Sequence, residues 1–211
     1  MNKLHAVLIA ALAAAPLPSL AAGANITGTV GFRQLSSDWD PTDTQAMLGA
    51  LADFSFWEAP LHIEVGLRGS GDSGNFVDDT GSHHVKQNVG DFLVGVMFIP
   101  DYGYMRPYLS FGLASVALET KFDGFKDDDT SEGYYVGGGV LWRPAPNFDV
   151  GIDARYIGGT DLSVYTGDPN RPTNVDVDNF TVALRLGYGW DLHARRDRDD
   201  YPPPRRRPRR Y

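Results

Sequence analysis

Along much of this chain apolar and polar residues alternate one for one, a spacing that only an extended strand turns into two distinct faces. In NFTVALRLGYGWD, Phe180, Val182, Leu184, Leu186, Tyr188 and Trp190 stand opposite Thr181, Ala183, Arg185, Gly187, Gly189 and Asp191. LHIEVGLR sets Leu61, Ile63, Val65 and Leu67 against His62, Glu64, Gly66 and Arg68, and FDVGIDARY sets Phe148, Val150, Ile152, Ala154 and Tyr156 against Asp149, Gly151, Asp153 and Arg155. NITGTVGFRQ does the same with Ile26, Val30 and Phe32 against Thr27, Thr29 and Arg33. Segments 46–57, 89–99, 107–119 and 133–142 keep the period less cleanly. In 89–99 both faces are apolar, and near Ala114 the pattern drifts as a β-bulge would make it drift. Eight such segments suit tilted strands that cross a bilayer, which need ~9–11 residues each.

The connections alternate in length. EAP, PDYGYMR and RPAPN are short, whereas 36–45, 70–88, 120–132 and 158–177 read as long loops. Short turns on one rim and long loops on the other are the layout of outer-membrane barrels, the short turns being periplasmic. Trp57, Tyr108, Trp142, Tyr188 and Trp190, together with Tyr102, Tyr104 and Phe148, fall beside short turns or at the end of the last strand. They are expected to form an interfacial aromatic girdle.

Alternation alone does not say which face is inside. Eight strands of Phe, Leu, Ile and Trp would overfill so narrow a lumen. Glycines beside Arg and carboxylates suit it, provided the buried charges pair. The expectation is a lipid-facing apolar exterior and an interior polar network of Arg33, His62, Glu64, Arg68, Asp153, Arg155 and Arg185.

The ends differ from the body. MNKLHAVLIAALAAAPLPSLAAGAN has a basic start, a short apolar run and small residues, and reads as a signal peptide over 1–22, cleaved near residue 22. Nothing later approaches the ~20 apolar residues of a membrane helix. With no Cys, an exported chain must be held by its core, by a closed hydrogen-bond network or by lipid. Residues 23–192 form the expected barrel and carry net −14, against +5 for 193–211. That tail, HARRDRDDYPPPRRRPRRY, has too few apolar residues to fold and is expected to be a disordered periplasmic extension.

The stretches RPYLSFGLA, YYVGGGVLWRPAPNFDVGIDARYI and FTVALRLGYGW resemble the eight-stranded outer-membrane β-barrel family of the outer-membrane protein A type. The resemblance covers about residues 25–192 and implies an all-β, eight-stranded antiparallel up-and-down transmembrane barrel in the outer membrane of a Gram-negative bacterium. It departs from the family pattern at YPPP, where a linker begins without the peptidoglycan-binding domain that follows in many members.

Catalysis finds little support in the residues. His62 shares its strand face with Glu64 but with no Ser, and His83 and His84 lie in a loop with Asp78, Asp79 and Ser82, without the rigid support a nucleophilic site needs. KFDGFKDDDTSEG fails as a calcium loop, because counting from Asp128 puts Gly139 where the closing Glu belongs. No catalytic residue, metal ligand or cofactor is therefore assigned. The long loops carry fourteen acidic residues against four basic ones. An acidic surface on a rigid scaffold suits a cation-bridged contact with lipopolysaccharide or a basic surface partner. The tail's arginines suit anionic headgroups or the cell wall, and export argues against nucleic acid. The expected function is a non-enzymatic structural or surface-interaction barrel. A channel or carrier for small hydrophobic solutes and a soluble periplasmic ligand-binding barrel are the alternatives.

Overall fold

The computed structural model describes residues 23–36, 43–55, 60–78, 81–100, 104–122, 125–145, 147–164 and 173–191. The expected signal peptide, the tail, Trp57 and Tyr102 lie outside them. Among the described residues there are ten strands: β1 (Gly23–Leu35), β2 (Thr44–Ser55), β3 (Leu61–Asp78), β4 (Gly81–Phe98), β5 (Met105–Phe122), β6 (Phe125–Ala145), β7 (Phe148–Gly158), β8 (Asp161–Val164), β9 (Thr173–Asp176) and β10 (Asn179–Asp191). Eight of them close an antiparallel barrel in the order β1-β10-β7-β6-β5-β4-β3-β2, and β8 and β9 form a separate two-stranded sheet. No helix among the described residues is long and apolar enough to cross a membrane.

The apolar side of the alternation faces out. Ile26, Phe32, Leu67, Leu109, Phe111, Ile152, Leu184 and Leu186 are all exposed on the outer wall. That removes the soluble-barrel alternative, since such a surface in water would be a large exposed apolar patch. From Phe180 to Trp190 the outward residues span about ten strand positions, which at a ~40° tilt is roughly the 25 Å height of a membrane barrel's apolar band.

Several expectations change on the fold. Strands β3, β4 and β5 are each 18 residues long and β6 is 21. Most of 70–88 and 120–132 is therefore strand rather than loop, with pairing continuing to Asp78↔Gly81 and Phe122↔Phe125. Beyond the lipid both faces of these strands meet water, so nothing requires alternation there, and their Ser, Asp and Thr read as loop.

No bulge occurs at Ala114, where β5 pairs continuously with β4 and β6. The drift comes from the lumen side turning apolar at Ala114, Val116 and Leu118, all buried. Likewise 89–99 is apolar on both faces because Val89, Leu93 and Met97 fill the interior while Phe98 faces out. The register does slip between Trp142 and Ala145, at Pro144, which has no N–H to give the ladder. Asn147 makes the following turn at φ 67°, a conformation Asn tolerates.

The aromatic ring is corrected at one position. Trp142, Tyr188 and Trp190 face outward, whereas Tyr108 is only 3% exposed and points into the lumen. Nearness to a short turn places an aromatic at the rim but does not fix its parity on the strand.

Candidate functional site

Two regions could carry function, the lumen and the sheet above the lipid. Inside, the ladder register stacks the charged residues into connected groups. Arg33 and Arg68 both donate to Asp91 Oδ2, Arg68 at 3.0 Å. Arg68 also reaches Thr181 Oγ1 at 2.8 Å, and Arg33 reaches Ser70 Oγ at 2.9 Å. Ser70 donates to Gln45 (2.7 Å), and Gln45 to Gln87 (3.0 Å).

Nearer the short turns, Arg155 grips Glu64 with two bonds of 2.6 and 3.2 Å and touches Asp153 at 3.2 Å. Tyr135 donates to Glu64 at 3.1 Å and Tyr108 donates to Asp153. The Arg155 and Arg185 guanidiniums lie 4.8 and 5.0 Å from the Tyr135 and Tyr108 ring centres. Arg185 sits 3.5 Å from Asp153 and 3.9 Å from Glu64. Four buried arginines thus share three carboxylates. Arg33, Arg68 and Arg155 are met by counter-charge and hydrogen bonds. The buried Arg185 guanidinium makes no hydrogen bond among the described contacts and is met by the charges of Asp153 and Glu64 and by the Tyr108 ring.

Glycines make the room. A Cβ on Gly139 would collide with the Ile152 carbonyl and come within 2.8 Å of Tyr108 Oη, and one on Gly137 would lie 3.1 Å from Arg155 Cγ.

Buried apolar side chains lie on both sides of the network. Towards the long-loop rim Leu35, Val89, Val116, Leu118, Ile157 and Val177 form one buried cluster, and towards the short turns Met97, Ile99, Tyr108 and Leu141 form another. Val177 reaches the first cluster because the segment after β9 is tied down. Asp178 accepts from Tyr156 Oη at 2.6 Å and from the Thr160 N–H and hydroxyl at 3.2 Å each, and its own carbonyl accepts from Ser36 N at 3.1 Å. Burial works to raise the Asp178 carboxyl's pKa, but these hydrogen bonds to its charged form outweigh burial and hold it below the ordinary range.

Of the residues expected in the interior network, six lie in these groups. His62 stands apart, its Nδ1 2.8 Å from Asp53 Oδ1, and Asp53 also accepts from Asn25 at 3.1 Å. These line a small polar cup of about 110 Å³ at the short-turn mouth, with Ser55, Arg106 and Arg143. Arg143 binds Asp149 with bonds of 2.9 and 2.8 Å.

Ser55 stands directly across from His62 in register, so a Ser does share the histidine's face, from the neighbouring strand. Its hydroxyl makes no hydrogen bond to the ring among the described contacts, which leaves Asp53, His62 and Ser55 without the nucleophile–base bond of a catalytic set. Asp53 and Asp91 are interior partners that the sequence reading missed. The visible signal for Asp91 is a lone carboxylate in the apolar run NVGDFLVGVMF. No group of three metal-ligating side chains occurs among the described residues. The failed calcium loop lies within β6, which is extended and does not wrap an ion.

Outside the lipid band, β3 to β6 continue as a four-stranded polar sheet carrying His84, Lys86, Glu119, Lys121, Asp128 and Glu132.

A family model described as outer membrane protein beta-barrel domain matches residues 4–189. Three solved structures align over nearly their full length, each with TM-score 0.55. Ail, the attachment invasion locus protein of Yersinia pestis, in complex with the heparin analogue sucrose octasulfate, is 14% identical over 80% of this chain and 98% of its own. Neisserial surface protein A is 13% identical over 79% and 95%. The outer membrane protein OprG from Pseudomonas aeruginosa is 16% identical over 82% and 97%. At these identities the likeness is one of fold. No curated protein matches the chain by sequence.

Proposed function

The chain belongs to the outer membrane protein β-barrel domain family, with its place in the outer membrane of a Gram-negative bacterium, and from that premise we propose that it is a membrane-embedded scaffold whose protruding sheet and loops make contacts at the cell surface. The reading is of a non-enzymatic protein. The observation that carries it is the packed interior: among the described residues, buried ion pairs and apolar side chains occupy the inside of the barrel, an arrangement that favours rigidity over an open path. What remains for interaction is the polar sheet beyond the lipid, on a body that is fixed beneath it. Its carboxylates suit divalent cations, and such cations bridge carboxylates to the phosphates of lipopolysaccharide in the same leaflet.

The test is co-purification of lipopolysaccharide with the full chain refolded in phospholipid vesicles, with Mg²⁺ and with chelator. Retention with Mg²⁺ that chelator lowers supports the reading, and no retention in either buffer counts against it. The channel alternative is met by bilayer recording: a steady conductance from the pure chain would move the function to the lumen, and silence would leave it on the surface.

A further inference from the structure

The cup at the short-turn mouth belongs neither to the ion-paired interior nor to the protruding sheet, and its two walls differ in charge. One wall comes from β1, β2 and β3, which bring Asn25, Asp53, Ser55 and His62 to it. The other comes from β5 and β6, which bring Arg106 and Arg143. In the closed order β5 stands four places from β1, and β6 four places from β2. In a ring of eight strands those positions are diametrically opposite. An acceptor wall therefore faces a cationic wall across the lumen.

The acceptor wall is held by its own members. Asp53 Oδ2 accepts from Asn25 at 3.1 Å, and its Oδ1 lies 2.8 Å from His62 Nδ1. A carboxylate offers about four lone-pair sites, so two such bonds leave it able to accept more. Asp53 is the only carboxylate among the described residues that line the cup. No lysine or arginine meets it among the described contacts, where its one ion-pair partner is the histidine.

The opposite wall has the reverse excess. Arg143 is bound to Asp149 at 2.9 and 2.8 Å, whereas Arg106 comes no nearer to a carboxylate than 4.0 Å, from Nη1 to Asp149 Oδ2. That is longer than a hydrogen bond, and a guanidinium carries five N–H donors. Asp149 is buried and does not line the cup, so the guanidiniums rather than their carboxylate meet it. Ile99 and Leu141 also line the cup and belong to a buried apolar cluster. With apolar material rather than water behind them, the two walls are screened less than charges on an open surface.

We propose that the cup binds a small zwitterion, an ammonium group and an oxyanion joined by a short carbon chain. The ammonium sits on Asp53 beside the Ser55 hydroxyl, and the oxyanion sits on Arg106 beside Arg143. An anion alone would face the Asp53 carboxylate, and a cation alone would face two guanidiniums. Only a ligand with both charges suits both walls. The volume of about 110 Å³, at ~30 Å³ per liquid water, is room for about four waters or one such molecule. Two sources supply this chemistry, a free α-amino acid and the phosphoethanolamine head of a lipid in the adjoining leaflet. The head would enter over Gly23, Ala24 and Gly189, the small lining residues beside outward-facing Trp190. The site lies at the other mouth from the protruding sheet and does not depend on the surface-contact reading.

The test places the full chain in phosphatidylcholine nanodiscs, whose trimethylammonium heads have no N–H to give Asp53. The Arg106 side-chain N–H and the His62 ring are followed by NMR during titration with glycine and with glycerophosphoethanolamine. Saturable shifts of both signals are expected. Acetate and ethylamine, each carrying one of the two charges, should bind about tenfold more weakly or worse, as the loss of one charged hydrogen bond implies. Asp53→Asn and Arg106→Gln should each weaken glycine binding by about the same factor, and Arg106→Lys should recover part of it by restoring the charge. Arg106 is only loosely held, so its variants keep the test open if Asp53→Asn fails to give the folded band on an unheated gel. Phosphatidylethanolamine in the discs distinguishes the sources. If it produces the same shifts and blocks glycine, the occupant is the lipid head, and if glycine still titrates unchanged, it is the free zwitterion. Acetate or ethylamine binding as tightly as glycine would reduce the cup to a simple ion site and overturn the proposal. So would the absence of any saturable shift up to about 10 mM, well past a millimolar Kd.

Discussion

Asp91→Asn separates charge from hydrogen-bond geometry in the lumen. Asp91 accepts from Arg33 and Arg68, and the charged side chains of that trio are at most 1% exposed. Asn keeps the size and one acceptor oxygen, so if geometry alone mattered the loss would stay near 1 kcal/mol. Removing the negative charge leaves four buried guanidiniums with two carboxylates, and breaking a buried pair from one side typically costs about 3–5 kcal/mol. The larger figure is the expected one. The assay is urea unfolding in phospholipid vesicles, followed by tryptophan fluorescence and by mobility on an unheated gel. Adding Arg33→Met to Asp91→Asn should restore at least half of the loss, because it removes one of the orphaned cations and fills the space with apolar atoms. A loss below about 1 kcal/mol, or a second substitution that only adds to the damage, would refute the claim that the interior is held by matched charge.

Gly139→Ala should prevent stable closure, because its Cβ would collide with the Ile152 carbonyl oxygen, a backbone atom, and sit 2.8 Å from Tyr108 Oη, whereas Gly90→Ala should be neutral, its nearest atom being Arg68 O at 4.0 Å; the fraction of folded band on an unheated gel reads both. Tyr108→Phe leaves Asp153 short of one donor in the barrel interior and should cost about 1.5–3 kcal/mol in the same urea assay, the range for a hydrogen bond to a charged group. The Asp178 carboxyl is held below its ordinary 3.8, so its contribution is fully present above that pH and is lost as pH falls through the lower folded value. Hydrogen exchange at the Thr160 and Val177 amides should therefore stay slow down to about pH 4 and quicken below it, and Asp178→Asn should flatten that dependence.

How far the sequence could be read follows from what each strand face meets. In β1, β3, β7 and β10 the outward side touches lipid and the inward side holds Arg, Asp, Thr and Gly, so the period is plain and Arg33, Glu64, Arg68, Asp153, Arg155 and Arg185 are legible as interior residues. In β4 and β5 the inward side is itself apolar at Leu93, Met97, Val116 and Leu118, so the contrast between faces disappears and with it the means of placing Asp91. Above the bilayer both sides meet water, and the upper ends of β3 and β6, as in SGDSGNFVD and KDDDTSEG, show no alternation of apolar and polar residues. Tyr108 was misplaced for a related reason, since depth in the membrane is readable from nearness to a turn while direction needs parity. The register pairing of Lys86 with Lys121, and of Lys121 with Lys126, is invisible to any window along the chain and exists only in the pairing of three strands.

The seam of the barrel lies between β1 and β10, where Gly23 pairs with Asp191 and Leu35 with Asn179. The first barrel strand is thus completed by the last, across nearly the whole described length. Until residue 190 has been delivered, no partial set of strands can meet lipid with every backbone N–H and C=O satisfied, so a growing chain gains nothing by inserting early. Such a chain must be kept unaggregated in transit and then folded as a unit. Truncation by a few residues before Trp190 should accordingly leave a full-length-like chain that never enters the membrane, rather than a shorter barrel that does.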